Sequence, residues 1–143
     1  MTTAPCRRSL VDGGGRSIFG GVSDRYPGAR IILGHMGDFL LAQLHRIDAR
    51  YRDLDPRLQR SLEKAPSEYF GTNITITTSG VFSRAAPLGT IQTIGVDNVM
   101  FSIDYPFEPT REAAEFLHAA PLSSPDKEKV AYVNAQRILR LTP

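Results

Sequence analysis

Three short runs of β-branched and other apolar residues punctuate this sequence, and a helix-period pattern follows each one. They are Arg30–Leu33 (RIIL), Asn73–Gly80 (NITITTSG) and Asn98–Pro106 (NVMFSIDYP). Strands that alternate with helices are joined by right-handed crossovers, and such crossovers build a parallel sheet. The runs lack clean polar alternation, as strands covered on both faces do. The chain has 143 residues, 41% of them hydrophobic, which suits one domain with a real core. The expected fold class is therefore α/β, with three parallel strands and flanking helices.

The helices are read from spacing. Ile18, Phe19, Val22 and Tyr26 share one helical face, and Pro27-Gly28 ends that helix. Leu40, Leu44, Ile47 and Tyr51 repeat at helical intervals, predicting a helix from Asp38 to about Tyr51. The polar stretch between Asp53 and Pro66 has room for a short helix around Leu58–Lys64. Leu88, Ile91 and Ile94 predict another, closed by Gly95, and the alanine-rich Arg111–Ala119 a further one. The last helix starts with Ser124 as N-cap, Pro125 in the first turn and Asp126 against the dipole. Val130, Val133, Ile138 and Leu139 form its apolar side.

Ligands of parallel α/β sheets gather at the carboxyl ends of the strands. Here the first strand ends in Gly34-His35, the second in Thr77-Thr78-Ser79 and the third in Ser102-Ile103-Asp104. An imidazole, hydroxyls and a carboxylate are thus expected on one rim. Asp104 is a good oxygen ligand for a divalent ion, and His35 can move a proton near neutral pH. Asp38 could accept from the imidazole and fix its tautomer, or face a helix dipole as an N-terminal carboxylate. His45 and His118 fall inside helices and read as surface or packing residues.

Composition removes several function classes. Net charge is +2, with 17 basic residues scattered among 15 acidic ones, so no nucleic-acid stripe is expected. No apolar run is long enough to span a bilayer, so no membrane partner is expected. The single Cys6 cannot pair within the chain, which suits a cytoplasmic setting, and nothing beside it would activate the thiol. Residues 1–15, with Arg7-Arg8 and Gly13–Gly15, read as a flexible leader without a secretory apolar segment.

The motifs DRYPGARIILGHMGDFLLAQLHRIDARY, NITITTSGVFS, IGVDNVMFSIDYPFEP and PLSSPDKEKVAYVNAQRILRL together resemble the amidohydrolase-related decarboxylases. That family includes aminocarboxymuconate-semialdehyde, γ-resorcylate and dihydroxybenzoate decarboxylases. The resemblance covers its C-terminal half, over residues 16–143. It implies part of a TIM-type (β/α)8 barrel, with Arg30–Leu33, Ile74–Thr78 and Val99–Ile103 as the sixth, seventh and eighth strands. It implies a zinc or manganese ion in the complete enzyme, His35 as the catalytic histidine with Asp38 as a second catalytic residue, and Asp104 as a metal ligand. The family commonly has glutamate where this chain has Asp38, one methylene longer. Arg46 and Asp48 match a family Arg-x-Asp pattern of structural or interface residues, and Asn134-Ala135 a packing position on the closing helix.

The family's other metal ligands, a His-x-His or Glu-x-His pair and a further His, have no match here, and no histidine precedes His35. A catalytic zinc usually takes three protein ligands. This chain alone is therefore expected not to hold the metal tightly. The implied activity is decarboxylation of an aromatic or unsaturated small-molecule carboxylate, and Tyr105-Pro106-Phe107 matches the decarboxylase branch. Alternatives are an inactive fragment, a subunit completed by a complementary half-barrel, or a hydrolase of the same superfamily. Open sheet edges also predict a homo-oligomer or such a partner.

Overall fold

A computed structural model describes residues 15–38, 40–56 and 62–141. The expected leader lies outside these residues, except residue 15, which begins a helical segment at 15–19 (α1). After it come α2 (Val22–Arg25), β1 (Ile31–Leu33), α3 (Leu40–Arg52), β2 (Ile74–Thr77) and α4 (Ala85–Ile94). β3 (Val99–Met100), α5 (Thr110–Ala119), α6 (Ser124–Glu128), a π-helical stretch (Lys129–Val133) and α7 (Asn134–Leu139) complete the chain. The expected alternation of strand and helix is what forms.

The three strands make one parallel sheet in the order β1-β2-β3. Ile31 lies opposite Ile74 and Leu33 opposite Ile76, while Ile76 lies opposite Val99. Ile74, Ile76 and Val99 are fully buried, and with Leu33 they meet Leu44, Ile94, Phe116 and Val130 from the helices. Each such side chain contributes about 1.5–3 kcal/mol when removed from water. The opposite face is not wholly covered: Ile32, on the other side of β1 from its neighbours, is 41% exposed. The expectation of two covered faces therefore holds for β2, whose four residues are all buried, and fails for β1.

Several boundaries differ from expectation, each for a local reason. β3 ends at Met100 rather than Ile103, because the Phe101 N–H turns away and donates to the Val130 carbonyl at 2.8 Å. The N-cap of α6 is Ser123, not Ser124; its hydroxyl accepts from the Asp126 N–H. α3 begins at Leu40, since Asp38 has a non-helical backbone at φ +50°. Of the short helix expected at Leu58–Lys64, residues 57–61 lie outside the described residues, and residues 62–64 are not helical. A 3-10 turn occurs instead at Pro66–Tyr69, where Asp48 Oδ1 accepts from the Ser67 N–H at 2.9 Å. Asp48 is thus structural, as its motif implied, and Arg46 is exposed. On the last helix Val133 and Leu139 are exposed, against expectation, while Val130 and Asn134 are buried. The wider π-helical turn shifts the phase and brings Asn134 inward.

Candidate active site

The site begins where β1 stops. Beyond Gly34 the chain makes a left-handed turn: His35, Met36, Gly37 and Asp38 have φ of 52°, 52°, 69° and 50°. The Gly37 N–H donates to Gly34 O and the Asp38 N–H to His35 O, both at 2.8 Å. Left-handed backbone costs an L-residue about 1–2 kcal/mol. Packing offsets that cost. Met36 is 5% exposed in the core, and its sulfur accepts from Thr90 Oγ1. At Gly37 a Cβ would fall 3.0 Å from Ile76 Cδ1 and 3.3 Å from Leu41 Cγ, so only glycine lets the turn sit this close. The sequence GHMG thus lifts His35 off the strand end and turns its imidazole across the rim.

The turn that follows β2 supplies the surface it meets. His35 Nδ1 lies 2.9 Å from the Ser79 carbonyl oxygen. A carbonyl only accepts, so Nδ1 donates and Nε2 keeps its lone pair in the neutral ring. The group that selects the tautomer is therefore a carbonyl, not the Asp38 carboxylate. Asp38 is exposed beside the turn. The expected row of hydroxyls is also rearranged. Thr78, 1% exposed, aims its Oγ1 into the sheet, donating to Ser102 O at 2.8 Å and accepting from Ser102 N at 2.9 Å.

The third strand end brings Asp104, at φ +78°. Its Oδ2 stands 3.9 Å from His35 Nδ1, and the two side chains are 28% and 25% exposed. The Phe107 N–H donates to the Asp104 carbonyl at 2.8 Å, fixing the turn that follows. Among the described residues the positive-φ residues other than glycine are His35, Met36, Asp38, Asp104 and Arg140. All but Arg140 belong to this rim, and stored backbone strain of this kind collects at functional sites.

Gly80 lies between the pair. At φ +67°, a Cβ there would fall 3.1 Å from His35 Nδ1 and 3.2 Å from Asp104 Oδ2. Glycine keeps that space open. Beside it, Ser79, Ser102, Asp104 and Tyr105 help line an open depression of 460 Å³. Sequence reasoning missed both Gly80 and the Ser79 carbonyl. The available signal was a glycine directly after the Thr77-Thr78-Ser79 strand end, where Ser79 was read for its hydroxyl.

The rim can accept a divalent cation on the Asp104 oxygen, a hard donor facing the space that Gly80 leaves. The His35 imidazole stands beside it, with Nδ1 3.9 Å from that oxygen. Among the described residues no group of three or more His, Cys, Asp or Glu side chains is placed to hold a metal ion. The residues present thus fit part of a ligand set. His45 and His118 are exposed on helices, as expected. Among the described residues no helix is long and apolar enough to cross a membrane.

Comparison with known proteins adds the family. A family model described as amidohydrolase matches residues 12–141. The γ-resorcylate decarboxylase of Rhodococcus jostii is 37% identical over 126 residues, covering 88% of this chain and 38% of that protein. The solved 5-carboxyvanillate decarboxylase of Sphingomonas paucimobilis superposes with a TM-score of 0.85 at 42% identity, covering 89% of this chain and 38% of that one. A dihydroxybenzoic acid decarboxylase from Polaromonas, solved with manganese and 2-nitroresorcinol, gives a TM-score of 0.82 at 30% identity, covering 99% and 48%. The chain thus spans less than half the length of these relatives, and its open three-stranded sheet is part of a (β/α)8 barrel. With the match spanning every described residue, this chain belongs to the amidohydrolase family.

Proposed function

We propose that this chain forms the carboxyl-side part of a metal-dependent decarboxylase acting on an aromatic carboxylate. The observation that carries the reading is the His35–Asp104 pair, 3.9 Å apart and held open by Gly80 at the strand ends. Similarity to decarboxylases of γ-resorcylate and 5-carboxyvanillate supports the substrate class. Manganese in related structures favours that metal over zinc.

A divalent metal, when bound, supplies Lewis acidity toward substrate oxygens. Asp104 would hold it, with its remaining ligands drawn from segments outside this chain. His35, its Nδ1 engaged by Ser79, would present Nε2 to the substrate, take a proton on that nitrogen from solvent and deliver it to the substrate ring carbon. The ring carbon gains that proton as its bond to the carboxylate breaks; the bonding pair returns to the ring and carbon dioxide leaves. Asp38 is assigned the edge of this rim, where an exposed carboxylate can steer the solvent that reprotonates the imidazole.

The test is a chimera that places this chain behind the preceding part of the Rhodococcus jostii enzyme. Manganese-dependent carbon dioxide release from γ-resorcylate or 5-carboxyvanillate is expected, with loss in Asp104→Asn and His35→Gln. A folded, manganese-loaded chimera that decarboxylates neither would overturn the reading.

A further inference from the structure

We infer that Thr78 is a positioning residue for the His35–Asp104 pair, using its hydroxyl in place of its own backbone carbonyl. The inference rests on the reading of that rim given above. A parallel ladder joins β2 to β3. The Thr78 N–H donates to Met100 O at 3.0 Å. In a regular parallel ladder the next rung would run from the Ser102 N–H to the Thr78 carbonyl. That rung is replaced. The Ser102 N–H donates to Thr78 Oγ1 at 2.9 Å, and Oγ1 donates in turn to Ser102 O at 2.8 Å.

The substitution releases the Thr78 carbonyl, which accepts from the Val81 N–H at 2.9 Å and closes a turn over residues 78–81. That turn aims the Ser79 carbonyl at His35 Nδ1 and brings Gly80 against both members of the pair. The same hydroxyl grips Ser102 by both its backbone groups, two positions before Asp104. On the far side, Phe101 is tied to Val130 O in the π-helical stretch. One buried hydroxyl therefore fixes both arms of the site. Only a side chain that donates and accepts from Cβ can do this. Valine has the shape of threonine and neither capacity.

The experiment uses the full chain labelled with nitrogen-15 and studied by nuclear magnetic resonance at mildly alkaline pH. In the unsubstituted chain the imidazole nitrogens of His35 should report a proton on Nδ1. A nuclear Overhauser contact should join its ring to the Gly80 α-protons, since Gly80 packs against His35 Cε1. Thr78→Ser should retain both signals. Thr78→Val should melt cooperatively and lose both. Where valine prevents folding, Thr78→Ala takes its place with the same expectation. Retention of both signals in a folded Val or Ala variant overturns the inference. So does their loss in Thr78→Ser, because the methyl group would then be what matters. A second readout is manganese-induced broadening of the His35 ring signal, expected to weaken about tenfold in Thr78→Val, the scale for groups that orient a metal ligand. Missing broadening in the unsubstituted chain, with the Overhauser contact intact, accords with its partial ligand set; the decarboxylase reading is then judged in the chimera and Thr78 on the contact.

Discussion

Two glycines show how differently one residue type acts in this chain. Gly80, at φ +67°, faces His35 Nδ1 and Asp104 Oδ2 across distances that a Cβ would reduce to 3.1 and 3.2 Å. Gly89 lies within α4 with nothing within 4 Å of its missing Cβ. Gly80→Ala should therefore lower stability by about 1–2 kcal/mol through backbone strain and push the pair apart. Gly89→Ala should raise stability by about 1 kcal/mol through helix propensity. Opposite shifts of a few degrees in the thermal midpoint are expected, and equal shifts would show that the Gly80 cradle is not rigid. The chemistry-bearing residues were legible in the sequence because they close two strands of one parallel sheet, whose carboxyl ends share a rim: His35 and Asp104 stand together there. Gly80 and the Ser79 carbonyl were not, since a backbone oxygen has no letter and a glycine's role depends on what folds against it. Asn134 was legible as a packing residue, but not as the clamp it is. Its Nδ2 donates to Val96 O and Val99 O, both at 2.8 Å, because the π-helical turn brings it inward.

Elements were legible where periodicity alone decides them, and less so where a polar group from a distant segment ends them. α5 follows its alanine-rich pattern almost to the residue. β3 stops early because the Val130 carbonyl and the Thr78 hydroxyl compete for its amides, and neither competitor is near it in sequence. The same long-range logic ties α2 to the 3-10 turn at Pro66–Tyr69. Tyr69 is 1% exposed and its hydroxyl donates to Asp24, which also receives the Glu63 N–H. Burial, and then the bond to Asp24, push the Tyr69 phenol from 10.0 up to about 12. The folded state thus favours the neutral phenol. The stability this preference supplies is complete below pH 10, and is lost as pH rises through the interval from 10.0 to about 12. Tyr69→Phe should melt lower at neutral pH, by the loss of a hydrogen bond to a charged group worth about 1.5–3 kcal/mol. Its stability should also fall less steeply across that alkaline window. Tyr105→Phe, at a position 80% exposed, is the control. Parallel alkaline slopes for Tyr69→Phe and the unsubstituted chain would remove Asp24–Tyr69 as the link between these elements.

At the scale of the molecule, the sheet sets a problem that its residues do not solve alone. Among the described residues no strand pairs with the outer edge of β1 or of β3. A parallel sheet with open edges offers unpaired amides and carbonyls to any strand that approaches. β1 adds an apolar side chain to that offer, because Ile32 is 41% exposed on the face away from the helices. In a closed barrel that face would be interior and those edges would be paired. The chain spans 38% of the length of its curated relatives, so the surfaces that would cover Ile32 belong to other segments of such a barrel. Left to itself in solution, the chain should cover Ile32 with a second copy. Burying one isoleucine contributes about 1.5–3 kcal/mol, or roughly tenfold or more in an association constant. Sedimentation at increasing concentration should therefore reveal self-association, and Ile32→Lys should weaken it at least about tenfold while leaving the melting transition cooperative. In the chimera with the preceding part of a relative, the same substitution should act in the opposite sense. There lysine would meet a closed interior and destabilise the assembly, since an unpaired buried charge is costly. If Ile32→Lys leaves both the association and the chimera unchanged, β1 is not the seam at which this barrel closes.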